Sequence, residues 1–387
     1  MAKLRHAGKG ASSATPLADV RQGTQDSRMP PSRRRRYFFY ALYLGFLLVL
    51  LEGSARLAFR VPALSSRLSV GDGLDWRRQW VARRRDAGKQ FRFGFDAYDS
   101  TKGWKSRSNV RGMKVFNDKV LNTNAQGFRD LRDYAYARDT GKVRILLLGD
   151  SFTFGEAVSD DEMYASLLQR MLPGAEILNF GVHGYAHDQM LILLREQGIR
   201  YRPDIVMLGF ISDDMSRNLV DFRDYAKPHY SIDNGALRLE GSPVPPIEQL
   251  LKWDWARPRL VDVAAVIRAK LTTREARTRK REELTAAILS EMIRVTDSIR
   301  ATPMFVYLPI GKEIAVRSDS TEDERWFSRM CREHRTLKCF SALPQFQEEI
   351  RKGTTFKTRG HWDPAGHAVV AKAIERYLSD SGFVRRP

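Results

Sequence analysis

Hydrophobic positions fall into three regimes along the chain. Tyr37–Leu51 is fifteen residues without a charge. At ~1.5 Å per residue this run covers ~22 Å of a ~30 Å hydrocarbon core. Continued to Phe59, with Glu52 and Arg56 snorkelling at the far interface, it is long enough for one transmembrane helix over 37–59. Residues 60–135 show few long periodic segments beyond a helix predicted around 74–88. From 143 onward, short apolar runs alternate with amphipathic stretches. The runs predict strands over Val143–Leu148, Glu176–Phe180, Asp204–Phe210, Pro303–Leu308 and Leu337–Phe340. The stretches predict helices over 161–172, 187–199, 282–301, 322–335 and 365–379. Such alternation specifies an α/β fold, a five-stranded, mostly parallel sheet covered on both faces. Residues 212–281 break the rhythm with a polar stretch holding Pro243, Pro245 and Pro246. A structureless loop of that length is uncommon in a compact domain, so an insertion or cap with some helix of its own is expected. The expected organisation is a disordered basic arm (1–36), the membrane helix (37–59), a lead-in (60–135) and a main domain (136–387) with its insertion at about 212–281.

Charge sharpens the N-terminal part. Of 65 Lys+Arg against 46 Asp+Glu, nine Lys/Arg and two Asp fall in residues 1–36, giving +7 of the net +19. By the positive-inside rule this puts the N-terminus in the cytoplasm, although Arg77, Arg78, Arg83, Arg84 and Arg85 make the far side basic too. Gly53-Ser54-Ala55 offers small residues for a signal peptidase, but 36 residues is a long n-region, so a retained signal anchor is expected. A buried soluble helix fits less well, because Arg33–Arg36 followed by an all-round apolar run is a poor amphipathic pattern. The remaining +12 lies on or beyond the anchor, where anionic lipids or an acidic glycan are the expected partners. The run from Arg268 to Arg281 reads as a basic helix face. No aromatic interleaving or fold motif points to nucleic acid.

At 43% hydrophobic residues, wholesale disorder is excluded. Two cysteines exclude a disulfide framework and a four-thiolate zinc site. If the domain is extracytoplasmic, a Cys331–Cys339 disulfide across the intervening turn becomes available. His183, His187, Asp188 and His229 match no ligand spacing, so neither a metal nor a cofactor is expected.

The strongest chemical signal is Gly149-Asp150-Ser151 directly after the first buried strand. C-terminal strand ends are where sites assemble in a parallel sheet. A serine on that turn projects its hydroxyl into the crevice, and its own N–H is free to face an oxyanion. Asp150 suits a structural role, fixing the turn; alone, an Asp-Ser pair is also an ordinary helix cap. The second strand ends Asn179-Phe180-Gly181-Val182-His183-Gly184, with Gly181 a candidate second oxyanion donor. The third ends Gly209-Phe210-Ile211-Ser212-Asp213-Asp214. Gly360-His361-Trp362-Asp363 precedes the last helix, with His361 a candidate general base for Ser151.

These blocks, in this order, resemble the SGNH/GDSL hydrolase superfamily, in particular its bacterial membrane-anchored members related to acetyltransferase-like proteins of exopolysaccharide assembly. The likeness runs over about 275 residues, from Tyr98 to Leu378, and includes Gly103-Trp104 and Asn124-Ala-Gln-Gly127-Phe128-Arg129. It implies a flavodoxin-like three-layer α/β/α sandwich and acyl transfer from an ester to water or another hydroxyl. Carried over, Ser151 is the nucleophile, His361 the base, and Ser151, Gly181 and Asp213 the oxyanion positions, with Asp150 and Asp214 structural. Two positions depart from the pattern. An Asn whose amide donates to the oxyanion usually stands where Asp213 does, and an ionised carboxylate cannot donate. The acid usually two or three residues before the His is replaced by Arg359 and Thr358; a backbone carbonyl or another acid, such as Asp363, would have to orient the imidazole. The resemblance implies a single-pass inner-membrane protein with a periplasmic serine esterase or O-acyltransferase domain. Its substrate would be O-acetyl groups of a cell-envelope or exported polysaccharide, with envelope-assembly proteins as further partners. The alternative is a catalytically weakened SGNH-fold protein acting as a glycan-binding or scaffold component.

Overall fold

The computed structural model describes residues 33–87, 91–315, 320–357 and 359–384. Most of the expected basic arm lies outside the described residues; Arg33–Arg36 form the first turn of a helix rather than its disordered lead. That helix, α1 (Arg33–Arg60), is the one described helix long and apolar enough to cross a membrane, with a mean hydropathy of 1.7. Its Tyr, Phe and Leu side chains from Tyr37 to Leu51 are exposed, apart from the half-buried Leu47, unlike those of a buried core helix. The chain divides into two compact units, residues up to Ser54 and Ala55 onward.

In the second unit α2 (Pro62–Arg67) and α3 (Gly73–Ala87) lead to two hairpins, β1 (Asp96–Asp99) with β2 (Gly103–Ser106) and β3 (Met113–Val115) with β4 (Lys119–Leu121). The sheet domain then runs β5 (Val143–Gly149), α4 (Ser151–Phe154), α5 (Tyr164–Met171), β6 (Ala175–Gly181), α6 (His187–Glu196), β7 (Ile205–Phe210) and α7 (Ser212–Arg217). The insertion folds as the hairpin β8 (His229–Asp233) and β9 (Ala236–Glu240), then α8 (Ile247–Ala256) and α9 (Arg259–Leu271). The chain returns through α10 (Arg274–Ser298), β10 (Thr302–Tyr307), α11 (Gly311–Ile314), α12 (Glu322–Glu333), β11 (Lys338–Ser341), α13 (Leu343–Arg351) and α14 (Pro364–Asp380).

The sheet order is β6-β5-β7-β10-β11, all pairs parallel, the flavodoxin-like order in which the third sheet strand crosses to the other side of the first. Alternation along each strand sends successive side chains to opposite faces. Leu146, Leu148, Phe180, Leu208 and Phe210 join a core with α6, α10 and α12. Ile145, Leu147, Ile177, Ile205 and Met207 join a second core with α5, α13 and α14. This makes three layers. Both faces are covered, so β5, β6, β7 and β10 read as mainly apolar runs. A disulfide between Cys331 and Cys339 ties α12 to β11.

Candidate active site

β5 and β7 are neighbours at the point where strand order reverses, which opens a crevice above their C-terminal ends. β5 delivers Asp150 and Ser151 there. Asp150 caps α4, accepting from the Phe152 N–H at 2.9 Å. Ser151 is the first residue of α4, and its N–H has no partner among the described residues.

His361 arrives from the loop between α13 and α14. Two contacts fix that loop: Trp362 Nε1 donates to the Pro309 carbonyl at 2.9 Å, and Asp363 caps α14 by accepting from Gly366 N–H at 3.0 Å. The Phe152 ring packs 4.8 Å from the imidazole. The result is a His361 Nε2 to Ser151 Oγ distance of 2.7 Å, across 210 positions of chain. Burial lowers the His361 pKa below its ordinary value against the opposing pull of Glu156 and Asp150, so the imidazole is neutral, as a base must be, at neutral pH.

The acid beside His361 does not come from its own block. Asp363 is occupied as a helix cap, Arg359 is exposed, and Thr358 lies outside the described residues. Instead Glu156 places Oε1 3.7 Å from His361 Nδ1. Glu156 is buried, five residues after Ser151, and its N–H donates to the Ser151 carbonyl at 2.8 Å. The chain folds back so sharply because Gly155 ends α4 at φ +88°, where a Cβ would also come within 2.5 Å of Met163 Cγ. Arg129, fully buried, holds this loop from below. Its guanidinium donates to the carbonyls of Phe154 (3.2 Å), Val158 (2.7 Å) and Val120 (3.1 Å) and pairs with Asp160 at 2.7 Å. The Asn124–Arg129 run in the lead-in thus supports the loop that carries Glu156. Arg129→Met is expected to cost about 3–5 kcal/mol, because it strands Asp160 and several buried carbonyls; denaturant unfolding reads this as a lower midpoint.

Asp150 does more than cap. Its Oδ2 lies 3.1 Å from Ser151 Oγ and accepts from Arg217 Nη1 at 2.9 Å; the same Nη1 donates to Asp214 Oδ1 at 2.7 Å. Ser151 has one proton and two acceptors in reach. With Asp150 Oδ2 already engaged by a guanidinium, the shorter contact to His361 wins. Burial, with Asp150 adding, pushes the Asp214 carboxyl well above the usual range against the pull of Arg217, and its Oδ2 is buried without a partner.

Two expected oxyanion positions are corrected. The Gly181 N–H donates to Asn179 Oδ1 at 3.0 Å and is not free. Glycine is needed there for packing, since a Cβ would lie 2.4 Å from the Phe154 N on α4. The following turn holds Gly184 at φ +73°, and its N–H has no partner among the described residues. Asp213 points its carboxylate to Lys312 Nζ at 2.9 Å, with 47% of the side chain accessible. Asp213→Asn is accordingly expected to change kcat less than about tenfold, against the ~10²–10³ loss typical of removing an oxyanion donor. Steady-state rates on one acetyl ester check this.

The scattered histidines have separate partners. His183 Nε2 pairs with Asp96 at 2.8 Å, which raises its pKa although burial acts the other way. That pair ties the lead-in hairpin β1–β2 to the turn carrying Gly184. His187 is buried, its pKa lowered to about 3, and accepts from Asn218 Nδ2 at 3.1 Å. Asp188 pairs with Lys227, and His229 lies 3.5 Å from Glu240. Among the described residues no group of three such side chains could hold a metal ion.

No family model and no curated protein matches the chain. Among solved structures it is similar to a member of the lipolytic protein G-D-S-L family from Veillonella parvula. The identity is 12%, covering 61% of this chain and 98% of that one, with a TM-score of 0.36. It is also similar to a catalytic mutant of an acetylxylan esterase from Geobacillus stearothermophilus, at 16% identity over 62% and 95% of the two chains and a TM-score of 0.37. Overlap at this level does not by itself assign a family or an activity.

Proposed function

We propose that the chain is a membrane-anchored serine esterase or O-acyltransferase of SGNH type. The observation that carries this is a buried serine hydroxyl 2.7 Å from a neutral imidazole whose other nitrogen faces a carboxylate. Ser151 Oγ gives its proton to His361 Nε2 and attacks the acyl carbonyl carbon. The oxyanion is held by the N–H group of Ser151, and Glu156 stabilises the imidazolium. Collapse breaks the ester bond, and His361 returns the proton to the leaving alkoxide. The acyl group, now an ester of Ser151, passes to water or an acceptor hydroxyl with His361 again as base.

The anchor reading is supported by the length and apolarity of α1. The Cys331–Cys339 disulfide supports an oxidising compartment for the second unit, so we place it in the periplasm with the N-terminus in the cytoplasm. The substrate class proposed from the sequence resemblance is O-acetyl on a cell-envelope or exported polysaccharide. Asp213, a carboxylate in the place of an amide donor, favours a second reading in which the same cleft holds a glycan without turning it over. Acetate release separates them. The enzyme releases acetate from p-nitrophenyl acetate and from acetylated xylan. Release no faster than buffer from every donor would leave only the scaffold.

A further inference from the structure

Helices α8 and α9 bury two acids: Asp254 accepts from Arg77 Nε at 3.1 Å and Arg259 Nη2 at 2.6 Å, and Asp262 from Arg257 Nε at 2.7 Å. Ile247, Leu250 and Val266 turn into the protein, but other large apolar residues of the pair face out, with Trp253 53%, Trp255 81%, Val261 48%, Ile267 52% and Leu271 78% exposed. On α9, Val261, Ala264, Arg268 and Leu271 form one exposed stripe, with Ile267 beside it and no acid among the exposed residues. A solvated face is polar, and an exposed apolar face of this kind meets another apolar phase. Exposed Lys270, Arg274, Arg277 and Lys280 continue the basic character beyond α9.

The position of this helix pair identifies that phase. Arg56, in the last turns of α1, donates from Nη2 to the Arg257 carbonyl at 3.4 Å. Lys270 Nζ donates to the Arg67 carbonyl at 2.6 Å, at the end of α2. Arg78 bridges the same region, 4.8 Å from the Phe59 ring and 2.9 Å from Ser65 Oγ. Leu57, Val61 and Leu64 are exposed as well. A helix that spans a bilayer and ends at Arg60 leaves residues 55–67 at the membrane–water boundary, and α8–α9 touch both ends of that stretch.

We propose that the exposed face of α8–α9 is a lipid-binding platform, seated in the headgroup region of the anionic bilayer that α1 spans. This rests on reading α1 as a membrane anchor. Tryptophans settle at that depth, and Arg and Lys are drawn to anionic headgroups. A second copy of the chain would need a matching surface, and nothing on α9's basic stripe is self-complementary in charge.

The chain's own tryptophans supply the test. Of seven, none lies in α1, and Trp80, Trp104, Trp326 and Trp362 are buried, with Trp76 half-buried beneath Arg223. The full chain is reconstituted into phosphatidylcholine–phosphatidylglycerol vesicles carrying lipids brominated near the top of the acyl chain. Emission is expected to be quenched by about a third or more. Trp253→Phe with Trp255→Phe removes the quenching while esterase activity and circular dichroism stay unchanged. Protein that resists alkaline carbonate extraction yet shows equal emission with and without bromine overturns the platform and leaves the anchor standing. Protein stripped by carbonate overturns the anchor reading itself. Concentration-dependent shielding of these tryptophans from acrylamide in detergent, without lipid quenching, assigns the face to a second copy instead.

Discussion

Ser151→Ala lowers kcat/KM on p-nitrophenyl acetate by about 10⁴–10⁶-fold, while the unfolding midpoint hardly moves. The rate falls because no other nucleophile replaces Oγ: the neighbouring hydroxyl, Thr153 Oγ1, is buried and bonded to Tyr164 OH at 2.9 Å. Stability holds because the cap survives, since Asp150 keeps the Phe152 N–H and the Arg217 guanidinium. His361→Ala costs a similar factor, and the double variant costs little more than either, because serine and base act on one proton. Initial rates at saturating and limiting ester separate this from a binding effect: kcat falls and KM changes little.

Glu156→Gln should lower kcat by about 10²–10³-fold, less than the ~10⁴ of losing a hydrogen-bonded triad carboxylate, because 3.7 Å is longer than a hydrogen bond. The larger part of that effect requires the contact to tighten when substrate closes the site. Glu156 is a positioning residue, so the pH profile is the decisive readout. Its carboxylate favours the imidazolium and so raises the His361 pKa; burial and the Arg217 guanidinium lower it, and the net shift is downward. Activity needs the neutral ring, so the wild-type rate rises with pH through a midpoint below the ordinary ~6.5 of histidine. Removing Glu156 deletes a raising influence. The midpoint therefore moves to still lower pH while the plateau falls. A plateau that falls with an unmoved midpoint assigns Glu156 to loop structure alone.

What could be seen in the sequence was local. Four buried strands, β5, β6, β7 and β10, stand out because both faces of the sheet are covered, so each reads as a mainly apolar run such as Ile145–Leu148, while the edge strand β11 is only half-buried. Ser151 stands out because its strand, turn and helix are contiguous, and His361 because it leads directly into a capped helix. What could not be seen was long-range or set by side-chain direction. Glu156 sat in view beside Gly155, but only the reversal at Gly155 and the span from Ser151 to His361 make it the carboxylate behind the imidazole. Spacing from His361 pointed to positions 358 and 359, which hold no acid, and Asp363, one candidate replacement, is engaged by the N-terminus of α14. Gly181 was a reasonable donor by composition, yet its N–H is consumed by Asn179 two residues back. Asp213 and Asp214 are adjacent and chemically alike, but helical geometry sends one outward to Lys312 and the other inward to Arg217. The length of the 212–281 stretch argued against a bare loop, and β8, β9, α8 and α9 lie in it; the burial of Asp254 and Asp262 beside exposed tryptophans could be seen only from their contacts.

An activated Ser151 hydroxyl reacts covalently with a phosphonylating probe. A fluorophosphonate incubated with the full-length protein in detergent should leave one adduct, on the peptide containing Ser151. Its rate of formation should follow the same acid limb as ester turnover, and the adduct should be absent from Ser151→Ala. Modification that misses that peptide, or that persists equally in Ser151→Ala, would contradict the account.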